Sequence, residues 1–394
     1  MEVFLKMMGG VKILENRAYI SAIIADIHFG AFDAKRMIFE LQTQFLEKLE
    51  KLPILDSIII AGDLYDHKLS LNSIHAKISI KFIERLVMIA RDKSSKIRII
   101  KGTESHDNKQ LDLLSTIISM NDDVDARVIA TVEEEMLFDD CKVLYIPEEY
   151  IDQSTYYKDY FNKKYDMIIG HGMFKELSFS KKQDGEINHP KAPIFNSTEI
   201  SELCNGPVFF GHIHIRQNIK DNIFYVGSFS RWCYGEEDDK GFYICAHSRK
   251  GFKLEYVKNK NALAFDTVVL DFNNTKYDRS MESLFSFIDM KAIDNLRVII
   301  NLPSDFENPL AFTNMVNEYF SKVDGVKIVV NNSSKEKQSR DMEERLNELM
   351  GRYGFVFDKT MTHEEKISKF IKEKYKKNIS VDRIRFYLYE QLIK

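Results

Sequence analysis

The chain has 394 residues, 44% hydrophobic and 29% charged, which is typical of a globular protein with two or three domains. Its 56 Lys and Arg against 60 Asp and Glu give a net charge of −4, which excludes a global positive field for recruiting nucleic acid, so polyanion binding must depend on local patches, bound cations or a partner. No apolar run approaches the roughly 18 residues of a membrane span, and no signal peptide is recognisable, so we expect a cytoplasmic protein with no membrane partner.

Roughly the first 250 residues alternate short apolar runs with amphipathic stretches, which predicts an α/β domain. Residues 33–52 and 71–91 carry apolar residues at helical spacing and are predicted helices. Several predicted strands run directly into short polar segments, and ligands of α/β sheets bind at the carboxyl ends of strands. The predicted strands are 18–25, 57–61, 97–100, 167–169, 208–210 and 223–226.

A second, smaller α/β unit is predicted after residue 260, followed by a helical tail. The polar run 331–340 is a predicted linker. Thr362 and Glu365 fit a capping box that begins a helix, and two apolar stripes separated by Asn378 and Ser380 predict a helix pair, which either packs on its own domain or docks on a partner. The unit's predicted order is strand 267–272, helix 280–290, strand 296–302, helix 309–323 and strand 326–330.

Five short segments at or near the ends of predicted strands concentrate carboxylates and imidazoles, the ligands that suit manganese, iron or zinc. Each segment alone is a weak signal. However, five of the ten histidines fall in these segments, and histidines that merely fill a core would not collect there. We therefore interpret the set as one metal site. The segments are Asp26-Ile-His28, Gly62-Asp63-Leu-Tyr-Asp66, Ser105-His106-Asp107, Gly170-His171-Gly172 and Gly211-His212-Ile-His214.

The ordered pattern D-x-H, G-D-x-x-D, H-D, G-H and G-H-x-H resembles that of the calcineurin-like metallophosphoesterases over about residues 18–245. The resemblance implies a four-layer α/β sandwich, with two mixed sheets flanked by helices and the motifs on loops at one end. It also implies two divalent metal ions, with Mn(II) as the expected metal. The implied ligands are Asp26, His28 and His214 for the first ion, His171 and His212 for the second, and Asp63 as the bridge.

The third motif departs from the family pattern G-N-H-D, in which the Asn binds the second ion. Here the segment is Gly102-Thr-Glu-Ser-His-Asp107, which is two residues longer and lacks the Asn. Aligned from the His-Asp pair, Ser105 falls at the Asn position and is the predicted ligand, with Glu104 as the alternative.

Two further roles follow from the resemblance. His106 corresponds to the family histidine that binds no metal and protonates the leaving oxygen, and Asp107 would orient its imidazole. Tyr65 and His67, close to Asp63, are predicted to line the substrate groove. The predicted catalytic pair is thus His106 and Asp107, distinct from the metal ligands.

The block after the last motif resembles the end of the phosphoesterase domain in SbcD-type double-strand-break repair nucleases, the meiotic recombination eleven family. It comprises Tyr225-Val-Gly-Ser-Phe-Ser-Arg231, Gly235-Glu-Glu and Lys240-Gly-Phe242. Such proteins continue with a small α/β capping domain and a C-terminal helix pair that docks on the coiled-coil base of an SbcC-type ATPase. The implied domains are 1–258 (nuclease), 263–333 (capping) and 334–394 (linker and C-terminal helices).

The resemblance implies a DNA nuclease, an exonuclease on duplex ends and an endonuclease on single strands, which acts in DNA end processing, repair and recombination as a homodimer. No G-x-x-x-x-G-K-[ST] phosphate loop is found, so any ATPase activity would belong to the partner. The compact size and the variant third motif favour a bacterial or bacteriophage version in the bacterial cytoplasm. Two alternatives stay open, a phosphatase or cyclic-nucleotide phosphodiesterase on the same core, and a scaffold subunit with weak or no catalysis.

Overall fold

The computed structural model describes residues 18–107, 109–151, 153–176, 192–236, 238–272, 294–320, 325–332, 361–375 and 378–384. The chain divides into two compact units, Met1–Asp266 with Ile293–Asn295, and Thr267–Ala292 with Leu296–Lys394. Among the described residues, no helix has the length and apolar character needed to cross a membrane. The predicted helix 280–290, most of the predicted linker, and the tail beyond residue 384 lie outside the described residues.

Strands and helices alternate along the first unit. Its helices are α1 (Ala34–Glu40), a π-helix (Leu41–Leu46), α2 (Glu47–Lys51), α3 (Ile74–Lys93), α4 (Gln110–Ser119), α5 (Gln153–Tyr156) and α6 (Ser197–Leu203). Its strands are β1 (Tyr19–Ile24), β2 (Ser57–Ala61), β3 (Lys96–Ile100), β4 (Ala126–Ile129), β5 (Glu133–Phe138), β6 (Cys141–Ile146), β7 (Met167–His171), β8 (Met173–Phe174), β9 (Ile194–Phe195), β10 (Val208–Gly211), β11 (Gln217–Lys220), β12 (Ile223–Tyr225), β13 (Gly241–Ser248) and β14 (Gly251–Lys258).

Two six-stranded mixed sheets form the body of this unit. One has the order β14-β13-β1-β2-β3-β4, and the other has the order β11-β12-β10-β7-β6-β5. In the first sheet β1 to β4 are parallel and β13 is antiparallel to β1; in the second, β12, β10, β7 and β6 are parallel. All six predicted strands are confirmed, each within two residues at either end. The predicted α/β class is therefore confirmed.

Both predicted helical stretches are confirmed, and each begins at a capping residue. The Asp33 carboxylate accepts a hydrogen bond from the Arg36 amide at 2.9 Å, and the Ser73 hydroxyl accepts one from the Ala76 amide at 3.1 Å. The second helix therefore starts three residues later than predicted. The first stretch also contains the π-helical turn, which the apolar spacing did not indicate.

Successive side chains along the central strands point to opposite faces of their sheet, and this alternation divides the core into layers. Ile24 lies in a cluster with Phe82 of α3, whereas its neighbour Ile23 lies in a cluster with Phe209 of the other sheet. Beyond the second sheet, Phe210 lies in a third cluster with Ile200 of α6. Helices, sheet, sheet and helix are thus separated by three apolar cores, an arrangement compatible with an α/β sandwich.

A bidentate ion pair joins an interior strand of one sheet to an edge strand of the other. Arg98 on β3 is 1% exposed, and its Nε and Nη2 donate to the Glu135 carboxylate on β5 at 2.9 and 2.6 Å. Burial alone would raise the pKa of Glu135, but Arg98 lowers it to about 2. Arg98→Met removes the buried guanidinium that binds both oxygens of this carboxylate and leaves only the more exposed Arg127 at 2.8 Å, so we expect a loss of about 3 kcal/mol in the free energy of unfolding at neutral pH.

The loss should depend on pH in one direction. A carboxyl with a folded pKa near 2, below its ordinary 4.5, stabilises the fold above the higher value, and this contribution disappears as the pH falls towards the lower one. Urea unfolding of wild type and Arg98→Met should therefore differ most near neutral pH, and the difference should shrink as the pH falls through the range from 4.5 to about 2. Lys51→Met, which removes an exposed ion pair with Glu47, is the control and should change little. If the two proteins differed in free energy of unfolding by the same amount at every pH, the ion pair with Glu135 would not be the cause.

The second unit contains a three-stranded sheet with the order β15 (Phe265–Asp271), β16 (Asn295–Leu302) and β17 (Val326–Asn332), and the helix α7 (Pro309–Phe320). The three predicted strands are confirmed, as is the predicted helix up to residue 320. The predicted start of the linker at Asn331 is wrong, because Asn331 and Asn332 continue β17 in register with β16. The Asn331 side-chain amide also donates to the Asn301 side-chain oxygen at 3.0 Å, which holds the strand end in the sheet.

The predicted capping box is confirmed at the start of α8 (His363–Tyr375). The Thr362 amide donates to the Glu365 carboxylate at 2.7 Å, and the Glu365 amide donates to the Thr362 hydroxyl at 3.3 Å. This reciprocal pair satisfies two amides at the helix start. Ile367 and Phe370, from the predicted apolar stripe, are 37% and 36% exposed.

Candidate metal centre

Acidic and imidazole side chains meet where parallel strands of both sheets end. Asp26 and His28 follow β1, Asp63 follows β2, His171 ends β7, and His212 follows β10. Backbone contacts lock these ends together, because the His28 amide donates to the Asp63 carbonyl at 3.1 Å and the His212 amide donates to the Asp26 carboxylate at 2.9 Å. The two sheets therefore present their ligand residues to one common site.

Three groups of side chains in the described part of the chain can hold a metal ion, each with ligand atoms within 4.8 Å of one another. The first and third coincide with the two ligand sets expected from the motifs. Asp63 belongs to the second and third groups, and His28 belongs to the first and second, so Asp63 lies beside both expected sets, where a bridging carboxylate is needed. The groups are Asp26 with His28 and His214, His28 with Asp63 and His106, and Asp63 with His171 and His212.

Carboxylates lie beside both imidazoles of the first group, and that of Glu236 is within hydrogen-bond distance of His214. His28 Nδ1 lies 3.3 Å from Asp66, and His214 Nδ1 lies 2.7 Å from Glu236. Metal-binding histidines commonly donate their second ring N–H to such a carboxylate, which fixes the tautomer. The Nε2 atoms of His28 and His214 then face each other at 3.2 Å, close to the roughly 3.0–3.4 Å between two nitrogens that bind one ion at about 2.1 Å.

His171 is oriented by a backbone carbonyl. Its Nδ1 lies 2.9 Å from the Ala61 oxygen, which can only accept, so Nδ1 carries the hydrogen. Its Nε2 is buried and makes no hydrogen bond with the described residues, and the same holds for Oδ2 of Asp26. Buried polar atoms left without hydrogen bonds require an explanation, and a bound cation beside each atom would supply one. The residues present thus fit a pair of divalent ions.

Asp63 lies between the two ligand sets and is completely buried. Its Oδ1 accepts a hydrogen bond from the Thr103 amide at 2.6 Å, while its Oδ2 lies 3.0 Å from His106 Nδ1 and 3.2 Å from His171 Nε2. Burial alone would raise the pKa of Asp63, but His171, His106 and His28 hold it well below its ordinary value. The carboxylate is therefore ionised and available to cations on both sides.

The pKa of His171 is shifted in the opposite direction by the carboxylates around it. Burial disfavours its protonated form, but Asp63, Asp26 and Glu148 raise its pKa well above the ordinary value. The site thus attracts positive charge at the position of His171 Nε2. Because a metal ligand must be deprotonated, a divalent ion bound here would replace that proton.

Two buried glutamates that the sequence motifs did not indicate complete the site. Glu148, two residues after β6, is 1% exposed, and its Oε2 lies 3.2 Å from His212 Nδ1 and 3.7 Å from His171 Nε2. Burial would raise the pKa of Glu148, but His212 and His171 lower it. Glu236 is 5% exposed and holds His214, as described above. The one signal for Glu148 was its place after an apolar run.

The loop of the third motif directs two of its polar side chains, those of Glu104 and Ser105, away from the site. Ser105 is exposed, and the Glu104 carboxylate, 47% exposed, forms an ion pair with Lys101. The hydroxyl of Thr103 does contact the site, at 3.2 Å from Oδ2 of Asp63. The assignment of Ser105 as a metal ligand stays a prediction.

Asp107 is completely buried beneath the loop. Its carboxylate accepts hydrogen bonds from the Gly102 amide at 2.7 Å and the Tyr65 amide at 3.1 Å. Burial and the charge of Asp63 raise the pKa of Asp107 to about 7, although both amides lower it. These contacts tie together the loops after β2 and β3. The expected orientation of the His106 imidazole by Asp107 stays a prediction, because the described partner of that ring is Asp63.

The two predicted groove residues differ in accessibility. Tyr65 is 4% exposed, its hydroxyl lies 3.3 Å from the Ser79 hydroxyl, and burial raises its pKa to about 12. It lines a cavity of about 300 Å³. The His67 side chain is 58% exposed, and its Nδ1 lies 2.8 Å from Asp66. Of the two, His67 is the residue that a substrate can reach.

Four of the predicted ligands have an unusual backbone conformation. Asp26, His28, Asp63 and His212 have φ angles of 48°, 52°, 47° and 93°. Residues with a Cβ rarely adopt this left-handed region, and those that do cluster at functional sites. The strand ends thus turn sharply at the ligand residues, which directs the side chains into one small space.

Trp232, the one tryptophan of the sequence, covers the first ligand group. Its ring centroid lies 4.8 Å from that of His28 and 4.9 Å from that of His214. On its other side it lies nearly parallel to Phe32, at an interplanar angle of 10°. The indole therefore forms an apolar wall against two potential metal ligands.

Comparisons with known proteins add little to this description. No family model and no curated protein matches the chain. Among solved structures, one crystal structure aligns with 61% of this chain and 100% of its own, at 12% sequence identity and a TM-score of 0.35. A likeness of that size carries no argument about fold or activity.

Proposed function

We propose that the chain is a calcineurin-like metallophosphoesterase of the SbcD type that hydrolyses phosphodiester bonds in DNA with two divalent ions, Mn(II) being the expected metal. The observation that carries this proposal is the position of the Asp63 carboxylate, whose Oδ2 lies 3.7 Å from His28 Nε2 of one expected ligand set and 3.2 Å from His171 Nε2 of the other. Histidine nitrogens with fixed tautomers face both sides of this carboxylate, which is the chemistry expected of a two-metal site.

When bound, such ions supply a strong nucleophile at neutral pH and neutralise the charge that develops on a phosphoryl group. His28 and His214, with Asp26, would hold one ion, while His171 and His212 would hold the other. Asp63 would keep the two ions at a fixed spacing. The protein's own contribution is therefore a largely buried set of ligands that is already gathered at one place before the metal ions bind.

His106 is the group proposed to move a proton. Its side chain is 19% exposed, so the imidazole reaches both the buried Asp63 carboxylate and the solvent side of the site. From this position a protonated imidazole can give its proton to a leaving oxygen. Positioned acids of this kind contribute about 10²–10⁴-fold to rate.

DNA is the proposed substrate for two reasons. The block around residues 225–242 resembles the corresponding block of SbcD-type nucleases, and an additional unit follows it in the chain. A hydrolase of small phosphate esters does not need that second unit. An SbcC-type ATPase is the proposed partner, with α8 and its partly exposed Ile367 and Phe370 as the contact. A homodimer is proposed on the resemblance alone.

The test compares wild type with His106→Asn, each with Mn²⁺ and end-labelled duplex DNA. We expect metal-dependent release of nucleotides by wild type, and a fall in kcat of about 10²–10³-fold in the variant with Mn²⁺ binding unchanged. His247→Gln is the matched control, since His247 is buried on β13 opposite Tyr19 at the start of β1, away from the ligand residues.

Each alternative has its own outcome. Hydrolysis of nitrophenyl phosphate esters without hydrolysis of DNA would replace the nuclease by a small-substrate phosphoesterase. If neither substrate were hydrolysed, with or without the ATPase partner, the protein would be assigned as a scaffold subunit without catalysis. Equal activities of wild type and His106→Asn on DNA would remove His106 from the mechanism.

A further inference from the structure

We propose that Glu148 is a ligand of the second metal ion and takes the place that the third motif leaves without an Asn. The inference rests on the proposed two-metal function, since it concerns the second ion of the same site. Glu148 lies outside all five motifs and enters the site from β6, the strand beside β7.

The position of the Glu148 carboxylate is the first argument. Its Oε2 lies 3.2 Å from His212 Nδ1 and 3.7 Å from His171 Nε2, the two imidazoles of the third ligand group. Three atoms at such spacings can surround one ion at ordinary ligand distances of about 2.0–2.2 Å after small side-chain shifts. The Glu148 carboxylate is therefore close enough to both imidazoles to bind the same ion.

Burial is the second argument. Glu148 is 1% exposed, and a buried carboxylate is costly unless it is paired with positive charge. No Lys or Arg forms an ion pair with Glu148 in the described part of the chain; its described ionic partners are His171 and His212. A divalent ion would supply the charge that holds this carboxylate in the interior.

Thr103 gives the third argument, because it links Glu148 to the bridging ligand. Its hydroxyl lies 3.2 Å from Oδ2 of Asp63 and 3.3 Å from Oε2 of Glu148, so both carboxylates converge on one point. In the same loop Ser105 is exposed and Glu104 pairs with Lys101. Glu148 thus contacts both histidines of the second ion, whereas the described ionic partner of Glu104 is Lys101.

A carboxylate in place of an amide changes the charge of the site. Asp26 and Asp63 supply two negative charges to the proposed ligand set, and Glu148 adds a third against the four positive charges of two divalent ions. More ligand charge gives tighter binding of hard divalent ions. The second ion of this protein should therefore be held more tightly than an amide ligand would allow.

The experiment measures Mn²⁺ binding by calorimetry, together with the electron paramagnetic resonance of bound Mn²⁺, so that its readout does not require activity. Wild type should bind two ions. Glu148→Ala should keep one ion at wild-type affinity and bind the other about 100-fold more weakly, with loss of the spin coupling between the two ions. Glu148→Gln retains a ligand oxygen without the charge, so its affinity for the second ion should lie between those of wild type and Glu148→Ala.

Glu149→Ala is the matched control, because Glu149 instead accepts hydrogen bonds from the Val132 amide and the Tyr156 hydroxyl. Two ions at unchanged affinity in Glu148→Ala would overturn the inference, and so would an equal weakening of both ions. Thermal unfolding separates loss of a ligand from loss of the fold, and Glu148→Gln serves if Glu148→Ala does not fold. Loss of one ion without any DNA hydrolysis by wild type would support this inference and reject the nuclease; fewer than two ions in wild type would reject both.

Discussion

Asp63→Asn is expected to lower manganese-dependent hydrolysis of a phosphodiester by at least about 10³-fold, the largest effect of any single ligand. At roughly 1.4 kcal/mol for each tenfold change, this is about 4 kcal/mol of transition-state stabilisation. The reason is its position, since Oδ2 of Asp63 is within 3.7 Å of nitrogens of His28, His106 and His171. An amide has the same shape but lacks the charge that offsets the repulsion between two cations.

The measurement pairs kcat with the number of Mn²⁺ ions bound. Asp63→Asn should bind fewer than two ions even where the fold, followed by circular dichroism, is intact. Asp123→Asn is the control, because Asp123 is an exposed partner of Arg91 on the surface. Activity within tenfold of wild type, with two ions still bound, would show that Asp63 does not bridge the metals.

Gly62→Ala is expected to destabilise the fold by about 4 kcal/mol and to remove metal binding by His171. Gly62 has a φ of 88°, which disfavours any residue with a Cβ. A Cβ at this position would also lie 2.0 Å from His171 Nδ1, the atom that donates to Ala61. The imidazole would have to leave its place, which breaks that hydrogen bond and creates strain in a packed interior.

Gly251→Ala separates backbone strain from the steric clash. Gly251 also has a positive φ, 127°, but a Cβ there meets nothing within 4 Å. We therefore expect this control to show a cost of about 1–2 kcal/mol and unchanged Mn²⁺ binding. If chemical denaturation gave equal costs for both variants, the proposed contact between residue 62 and the His171 ring would have no energetic weight.

The ligand residues were predictable because each stands in the sequence where an apolar run stops. Asp26 follows the run of β1, and His171 ends that of β7, so the chain order itself places both at the edge of a sheet. Glu148 also follows such a run, but a lone glutamate after a proline is an ordinary surface pattern. Only the pairing of β6 with β7 brings it to His171, and that long-range contact has no local trace.

The strand β5 was missed for a related reason. Its sequence begins with three glutamates, Glu133 to Glu135, and does not show the apolar alternation of a half-buried strand. It forms the edge of its sheet, and Glu135 is accommodated by Arg98 of the other sheet. Arg127, eight residues away, also pairs with Glu135, but the guanidinium that binds both carboxylate oxygens is that of Arg98, 37 residues away in the chain, and no local pattern reveals that contact.

The place of Trp232 has a spectroscopic consequence. Because the sequence contains one tryptophan, indole fluorescence excited at long wavelength comes from this ring alone. The ring lies 4.8 Å from the His28 ring and 4.9 Å from the His214 ring, so it directly adjoins the first ligand group. Paramagnetic Mn²⁺ arriving there would quench the emission strongly, whereas a diamagnetic ion would alter it differently. The chain thus contains a native optical reporter that distinguishes metals at one position without an added label.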